Sequence, residues 1–211
     1  MHIPKQESNC IDILTFEAAR TSNRDSLEYD KHKWIYIPDF YSEYRYILGT
    51  VGKNPLITIG INPSTASPED LDNTLKSVER IALANGFDSF IMFNVYAQRA
   101  TNPDDMDKRF NERLHNENMK AFRWVLEQAK ENPTIWAAWG TNIEKREYLL
   151  KCLEDMVQIG LKYSVRWCKT GKTSKAGHPH HPLYLCKDSP LETFDVEAYM
   201  KGLRSKTMLH S

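Results

Sequence analysis

The chain has 211 residues, room for one sizeable domain, and its 28 Lys and Arg equal its 28 Asp and Glu. No global charge therefore announces a nucleic-acid partner, although a local basic face would suffice for one. No apolar run approaches the roughly 20 residues that span a bilayer, so a membrane partner is not expected.

The N-terminus, Met1 to Glu7, is polar and lacks the apolar stretch of a secretory signal, which makes the cytoplasm the expected address. Cys10, Cys152, Cys168 and Cys186 are widely spaced and read as reduced thiols rather than a disulfide framework. Residues 1–30 read as a polar N-terminal extension with a short helix near Ile11–Arg20, residues 31–200 as a single α/β domain, and residues 201–211 as a C-terminal tail. Trp34–Ile37 and Tyr44–Leu48 have the aromatic content of edge strands or of the approach to the core.

From Pro55 onward the pattern alternates regularly. Pro55–Ile61 is a compact apolar run, as expected of a strand buried on both faces. Leu71–Asn85 carries Leu75, Val78, Ile81 and Ala82 at helical spacing, and Gly86 is a fitting stop. Ser89–Val95 is a second buried strand, followed by a long helix over about Asp105–Lys130 and a break at Pro133. Thr134–Gly140 is a third strand, Ile143–Val157 a helix, and Tyr163–Cys168 a fourth strand. Such alternation predicts a three-layer α/β/α sandwich around a central, mainly parallel sheet of about four strands. Ligands of parallel sheets bind beyond the carboxyl ends of the strands, where each polar motif of this chain falls.

The first motif is Gly60-Ile61-Asn62-Pro63-Ser64-Thr65, leaving the first buried strand. Gly60 permits close backbone approach, Pro63 stiffens the turn, and Asn62 offers both a donor and an acceptor. Asp70 and Asp72 follow near the next helix start. An ordinary strand-to-helix turn capped by Asn or Ser is the competing reading. Asn94 and Arg99 follow the second strand, and Trp139-Gly140-Thr141-Asn142 ends the third; a self-contained polar loop and a capped helix start are their respective alternatives.

Gly177-His178-Pro179-His180-His181-Pro182-Leu183-Tyr184-Leu185 is the most unusual segment. Its two His-Pro steps fix a stiff, extended loop that can aim imidazoles at a ligand. Three histidines near Cys168 and Cys186 raise the question of zinc, but their spacing matches no standard pattern, and no metal or other cofactor is expected. Lys169-Thr170-Gly171-Lys172-Thr173 lacks the upstream glycine of a phosphate loop, because Arg166 stands there.

Taken together, the Gly60-Ile61-Asn62-Pro63 turn, Phe93-Asn94, Trp139-Gly140 and the His-Pro loop resemble, in their order, the uracil-DNA glycosylase superfamily over about residues 45–190. A closer resemblance is to a bacterial and phage domain family with an N-P-S-T-A signature, here Asn62–Ala66, matched also at Arg99–Pro103 and His181–Leu185. The closer one brings no assigned activity. The broader one implies a DNA glycosylase that flips a damaged or modified base out of the duplex and hydrolyses its N-glycosidic bond, with DNA or a nucleotide as partner and no cofactor.

On that resemblance Asn62 orients the attacking water, and His178 or His181 contacts the base carbonyl or the flanking phosphate. Gly60, Ile61, Pro63, Ser64, Thr65, Asp72, Asn94, Arg99, Trp139, Gly140 and Tyr184 would line the substrate site. Two departures stand out: the His-Pro loop has an extra residue, and Ser64 replaces a bulky aromatic. Tyr46, Tyr96, Trp139 and Tyr184 are the candidate stacking platforms for a flipped base. Competing readings are a base-binding module that does not cut and a hydrolase of a small nucleotide derivative using Asp70 or Asp72.

Overall fold

The computed structural model describes residues 1–22, 29–129, 131–183 and 185–210, with side chains through residue 206. Among them run seven strands, β1 (Trp34–Ile37), β2 (Ile47–Thr50), β3 (Pro55–Gly60), β4 (Ser89–Asn94), β5 (Thr134–Ala137), β6 (Arg166–Thr170) and β7 (Leu191–Thr193). They form one sheet in the order β1-β2-β4-β3-β5-β6-β7. The pairs β4–β3, β3–β5 and β5–β6 are parallel, so the four expected strands form the centre. Antiparallel partners extend it: β1 and β2 beyond β4, and β7 beyond β6. The sheet is thus larger than the four central strands expected and mixed at its margins, where Trp34–Ile37, read as an edge strand or the approach to the core, is the outermost strand β1.

The central strands carry continuous apolar runs because both faces are covered. Ile57 and Ile59 of β3 point into a core shared with Leu114, Phe122 and Val125 of α3 (Glu112–Gln128) and Leu149 and Leu153 of α4 (Glu147–Leu161). Leu56 of β3, with Phe90 and Met92 of β4, packs on the opposite face against Leu75, Val78, Ile81 and Ala82 of α2 (Asn73–Ala84). Asp72 starts α2 by accepting the Leu75 N–H at 2.9 Å, and Gly86, at φ +81°, follows its end in a left-handed conformation that few other residues adopt.

Several boundaries differ from expectation for local reasons. The long helix starts at Glu112 rather than near Asp105, because Asn111 caps it by accepting the Leu114 N–H, and a short 3-10 turn occupies Pro103–Asp105. A second 3-10 turn, Gly140–Glu144, delays α4 to Glu147. β6 begins at Arg166, since Ser164 at φ +50° still belongs to the turn that closes α4.

The N-terminal segment is not an appendage. Ile13, Phe16 and Ala19 are buried in the main core, the last two on α1 (Phe16–Thr21). The Leu14 peptide is gripped from both sides: its N–H donates to the Tyr44 hydroxyl and its carbonyl accepts from the Tyr46 hydroxyl, each at 2.8 Å. Residues 23–28 of the expected extension lie outside the described residues. The expected tail likewise falls within α5 (Val196–His210), whose Val196, Met200 and Leu203 join the core. No helix among the described residues is long and apolar enough to cross a membrane.

Candidate functional site

The turn leaving β3 is held by polar contacts from three directions. Asn62 Nδ2 donates to the Pro63 carbonyl at 3.0 Å and the Ala100 carbonyl at 2.7 Å. Two carbonyl oxygens can face only the NH₂ side of a carboxamide, which fixes its orientation. Its Oδ1 therefore points away and accepts nothing from the described residues. Arg99 Nη1 donates to the Ser64 carbonyl and, at 3.2 Å, to the Ala66 carbonyl, while Nη2 reaches the Tyr36 hydroxyl at 2.9 Å. Arg45 Nη1 meets the same Ala66 oxygen at 2.9 Å. Ser64 Oγ donates to Thr101 Oγ1 at 3.1 Å, and Thr101 is tied to the chain start: the His2 N–H donates to Thr101 Oγ1 and the Thr101 N–H to the His2 carbonyl.

Asn94 ends β4 directly opposite Gly60 in the register. It is 1% exposed, and neither its Oδ1 nor its Nδ2 has a hydrogen-bond partner. Strand alternation turns it to the α2 face, the side of Phe90 and Met92. A Cβ on Gly60 would stand 2.5 Å from Met92 Cε, the flexible end of that side chain, and 3.1 Å from Asn94 Oδ1. The close approach is thus by neighbouring side chains. On the same face, Thr58 Oγ1 of β3, Trp136 Nε1 of β5 and Thr170 Oγ1 of β6 are also buried without partners. Unpaired buried polar groups are uncommon, and the opposite face carries others, Trp167 Nε1 of β6 with His115 Nδ1 and Asn118 Oδ1 of α3.

The His-Pro loop divides between two surroundings. His181 lies over Gly140, its Cβ 3.4 Å from where a Gly140 Cβ would be, and Gly140 takes φ +63°. Desolvation lowers the His181 pKa below its ordinary 6.5 against the opposing pull of the Asp72 carboxylate, so the ring is neutral at pH 7. Its Nδ1 accepts the Leu183 N–H at 3.2 Å, which leaves the proton on Nε2. His181 and Asp72 thus stand near each other above the sheet, with Asp72 committed through Oδ1 to capping α2.

His178 is different. It is 1% exposed, with Nδ1 2.9 Å from the Tyr199 hydroxyl and Nε2 3.0 Å from Glu144 Oε1. Trp139 Nε1 donates to the same Tyr199 oxygen at 3.0 Å, and the Glu144 carboxylate accepts from His178 Nε2–H. Both nitrogens are spent on the fold. His181 Nε2, by contrast, has no hydrogen-bond partner among the described residues. Trp139 itself packs among Trp167, Phe194 and Tyr199 on the α4 face and is fully buried.

Tyr46 and Tyr96 are equally buried, with hydroxyls on the Leu14 carbonyl and Asp107, so neither they nor Trp139 can stack on a ligand. Tyr184 lies outside the described residues. Ile61 and Pro63 are buried within the turn, whereas Asn62, Ser64, Thr65 and Asp72 keep partial exposure. Asp70 is exposed and bridges back to Ser67.

Sequence reasoning passed over Arg45, Tyr36 and Tyr41. Tyr41 is 50% exposed, and Arg99 Cζ lies 4.3 Å from its ring centroid. The available signal was Arg45 itself, one cation inside the aromatic run Tyr44-Arg45-Tyr46-Ile47-Leu48. Among the described residues no group of three or more His, Cys, Asp or Glu is arranged to hold a metal. A groove of about 900 Å³ lined by α3 and α4 residues contains none of the residues singled out above.

A family model described as "Protein of unknown function (DUF1643)" matches residues 45–183, which takes in the turn, Arg45, Asn94, Arg99 and both histidines. No curated protein and no solved structure matches the chain.

Proposed function

Since the chain belongs to the DUF1643 family, whose function is unknown, we propose from the chemistry of the site that it binds a nucleobase and hydrolyses its N-glycosidic bond in DNA or a nucleotide. The observation that carries this reading is Asn94. Its buried carboxamide offers one donor and one acceptor side by side, both unpaired, and the Watson–Crick edge of a base presents the complementary pair. Leaving such a group unsatisfied costs about 1–3 kcal/mol, which a matching base edge would offset.

The remaining roles follow from protonation and position. Asn62, anchored through Nδ2, keeps Oδ1 free to accept a hydrogen bond from water and so aim it at the sugar carbon. An amide cannot take the proton away, so the reaction must lean on departure of the base. As the C–N bond breaks, its electron pair leaves with the base, water adds to the sugar carbon, and the water's proton ends on the base or in solvent. A neutral His181 donating from Nε2 would stabilise the negative charge growing on the base. The motif order that resembles the uracil-DNA glycosylase superfamily is the second support for this reading.

The test is base release from oligonucleotides carrying uracil, deaminated, alkylated or hypermodified bases, followed by hot alkali to cleave at abasic sites. Cleavage at one class of base, with the free base detected by mass spectrometry, is the expected result. Wild-type protein inert on all of them would end the hydrolase reading, and retained selective affinity would then favour a base-binding module.

A further inference from the structure

Arg45 precedes β2 and Arg99 follows β4, and the two guanidinium groups converge on one oxygen, the Ala66 carbonyl, at 2.9 and 3.2 Å. Arg45 is 1% exposed and Arg99 fully buried. Neither forms an ion pair with a carboxylate among the described residues, and the Nε of each has no hydrogen-bond partner. Burial and the neighbouring Arg99 charge bring Arg45 down to about 9, still cationic at pH 7. The carboxylate it feels is that of Asp72, whose Oδ1 is committed to the α2 cap. Two like charges in a dry site repel strongly, and their neutral acceptors, the Ser64 and Ala66 carbonyls and the Tyr36 hydroxyl, bring no countercharge. The pair is electrostatically incomplete as it stands.

We propose that Arg45 and Arg99 form an oxyanion subsite, beneath the Asn62–Ala66 turn, for the phosphoryl group of the ligand whose base meets Asn94. A phosphate matches the planar fork of a guanidinium and supplies the negative charge that the pair lacks. The cover over the pair is thin. Tyr41 lies on Arg99 while half exposed, and Ser64 and Thr65 keep partial exposure. Only the identity of the rest of the ligand rests on the base-hydrolysing reading; the affinity for phosphate does not.

Titration of the full chain with inorganic phosphate, against chloride at constant ionic strength, tests the subsite through the arginine Nε–Hε resonances and the melting temperature. Saturable shifts of two arginine side-chain signals and a rise in Tm are expected. Arg45→Met should weaken phosphate binding by about tenfold or more, and Arg45→Lys should retain part of it. If Arg45→Met does not fold, the wild-type titration and Arg45→Lys carry the test. Absence of any saturable shift in the folded wild type, or unchanged phosphate affinity in Arg45→Met, overturns the proposal.

A nucleoside 5′-monophosphate binding more tightly than its nucleoside identifies a free nucleotide as the source. A single-stranded oligonucleotide whose salt dependence flattens in Arg45→Lys, with no such gain for the monophosphate, identifies a backbone phosphate instead. Phosphate binding without base release would leave the subsite standing while the hydrolase reading falls.

Discussion

Asn94 and Gly60 face each other across adjacent parallel strands, and the carboxamide of the first stands 3.1 Å from the Cβ position that the second leaves empty. Gly60→Ala would press on both Asn94 and Met92 Cε. Overpacking of this kind costs about 1–3 kcal/mol, and the displaced carboxamide would no longer meet a base in register. Expected are a lower denaturant midpoint and a loss of base release larger than the loss of stability explains. Unchanged release with full folding would remove Asn94 from base recognition.

Asn62 holds the turn and, on the proposed function, also positions water; substitutions separate the two. Asn62→Ala removes the water acceptor and the donor to the Ala100 carbonyl, while the Pro63 carbonyl keeps the Ala100 N–H at 2.9 Å, so release should fall by about a hundredfold with some loss of stability. Asn62→Asp keeps an acceptor but sets a carboxylate against two carbonyl oxygens, and should destabilise more. Denaturant melts beside single-turnover rates distinguish the two; equal rates in wild type and Asn62→Ala would dismiss the water-positioning role.

The histidines give a pH dependence with a defined sign. Burial holds both His181 and His115 below their ordinary 6.5. Between that value and the lower folded values the unfolded chain binds more protons, so stability is fully present above about 6.5 and declines as pH falls through this window. If the proposed base release uses the neutral ring of His181, it should show an acidic limb below 6.5. Asp72 raises the His181 value, so Asp72→Asn should move that limb to still lower pH. A limb that moves upward would refute the assignment.

His178 should behave as part of the fold. Tyr199→Phe leaves the Trp139 indole N–H and His178 Nδ1 without partners, at about 1–3 kcal/mol. The melting temperature should drop, while release by the folded fraction stays near wild type. A selective loss of turnover at unchanged stability would return His178 to the reaction.

Phe16→Ala should destabilise by about 3–5 kcal/mol, as for a large aromatic lost from a core. Chemical denaturation is the direct measure. A change under about 1 kcal/mol would mean that the N-terminal segment is only loosely attached.

The sequence disclosed the centre of the sheet better than its margins. Pro55–Ile61, Ser89–Val95 and Thr134–Gly140 are legible because strands buried on both faces carry uninterrupted apolar runs. β7 is three residues long and only partly buried, with no such run, and α5 buries Met200 and Leu203 within a mostly polar stretch. The turn at Asn62 could be located from its residues, but which side of its carboxamide is occupied depends on Ala100, 38 positions away. His178 and His181 are indistinguishable by local pattern. Tyr199 and Glu144 claim one, Gly140 and Asp72 surround the other, and none of these belongs to the loop. Arg45 went unnoticed because a cation in an aromatic run reads as an edge-strand residue until Arg99 is placed beside it.

The bonds linking His2, Thr101 and Ser64 have a bearing on how the protein should be handled. His2 also contacts Tyr41 and Glu43 through its ring, and Tyr41 covers Arg99. Any affinity tag or fusion partner joined ahead of His2 would emerge beside the turn that carries Asn62. Assays with such a fusion would confuse a disturbed turn with a missing activity. Attachment after α5 leaves the contacts among His2, Thr101 and Ser64 undisturbed.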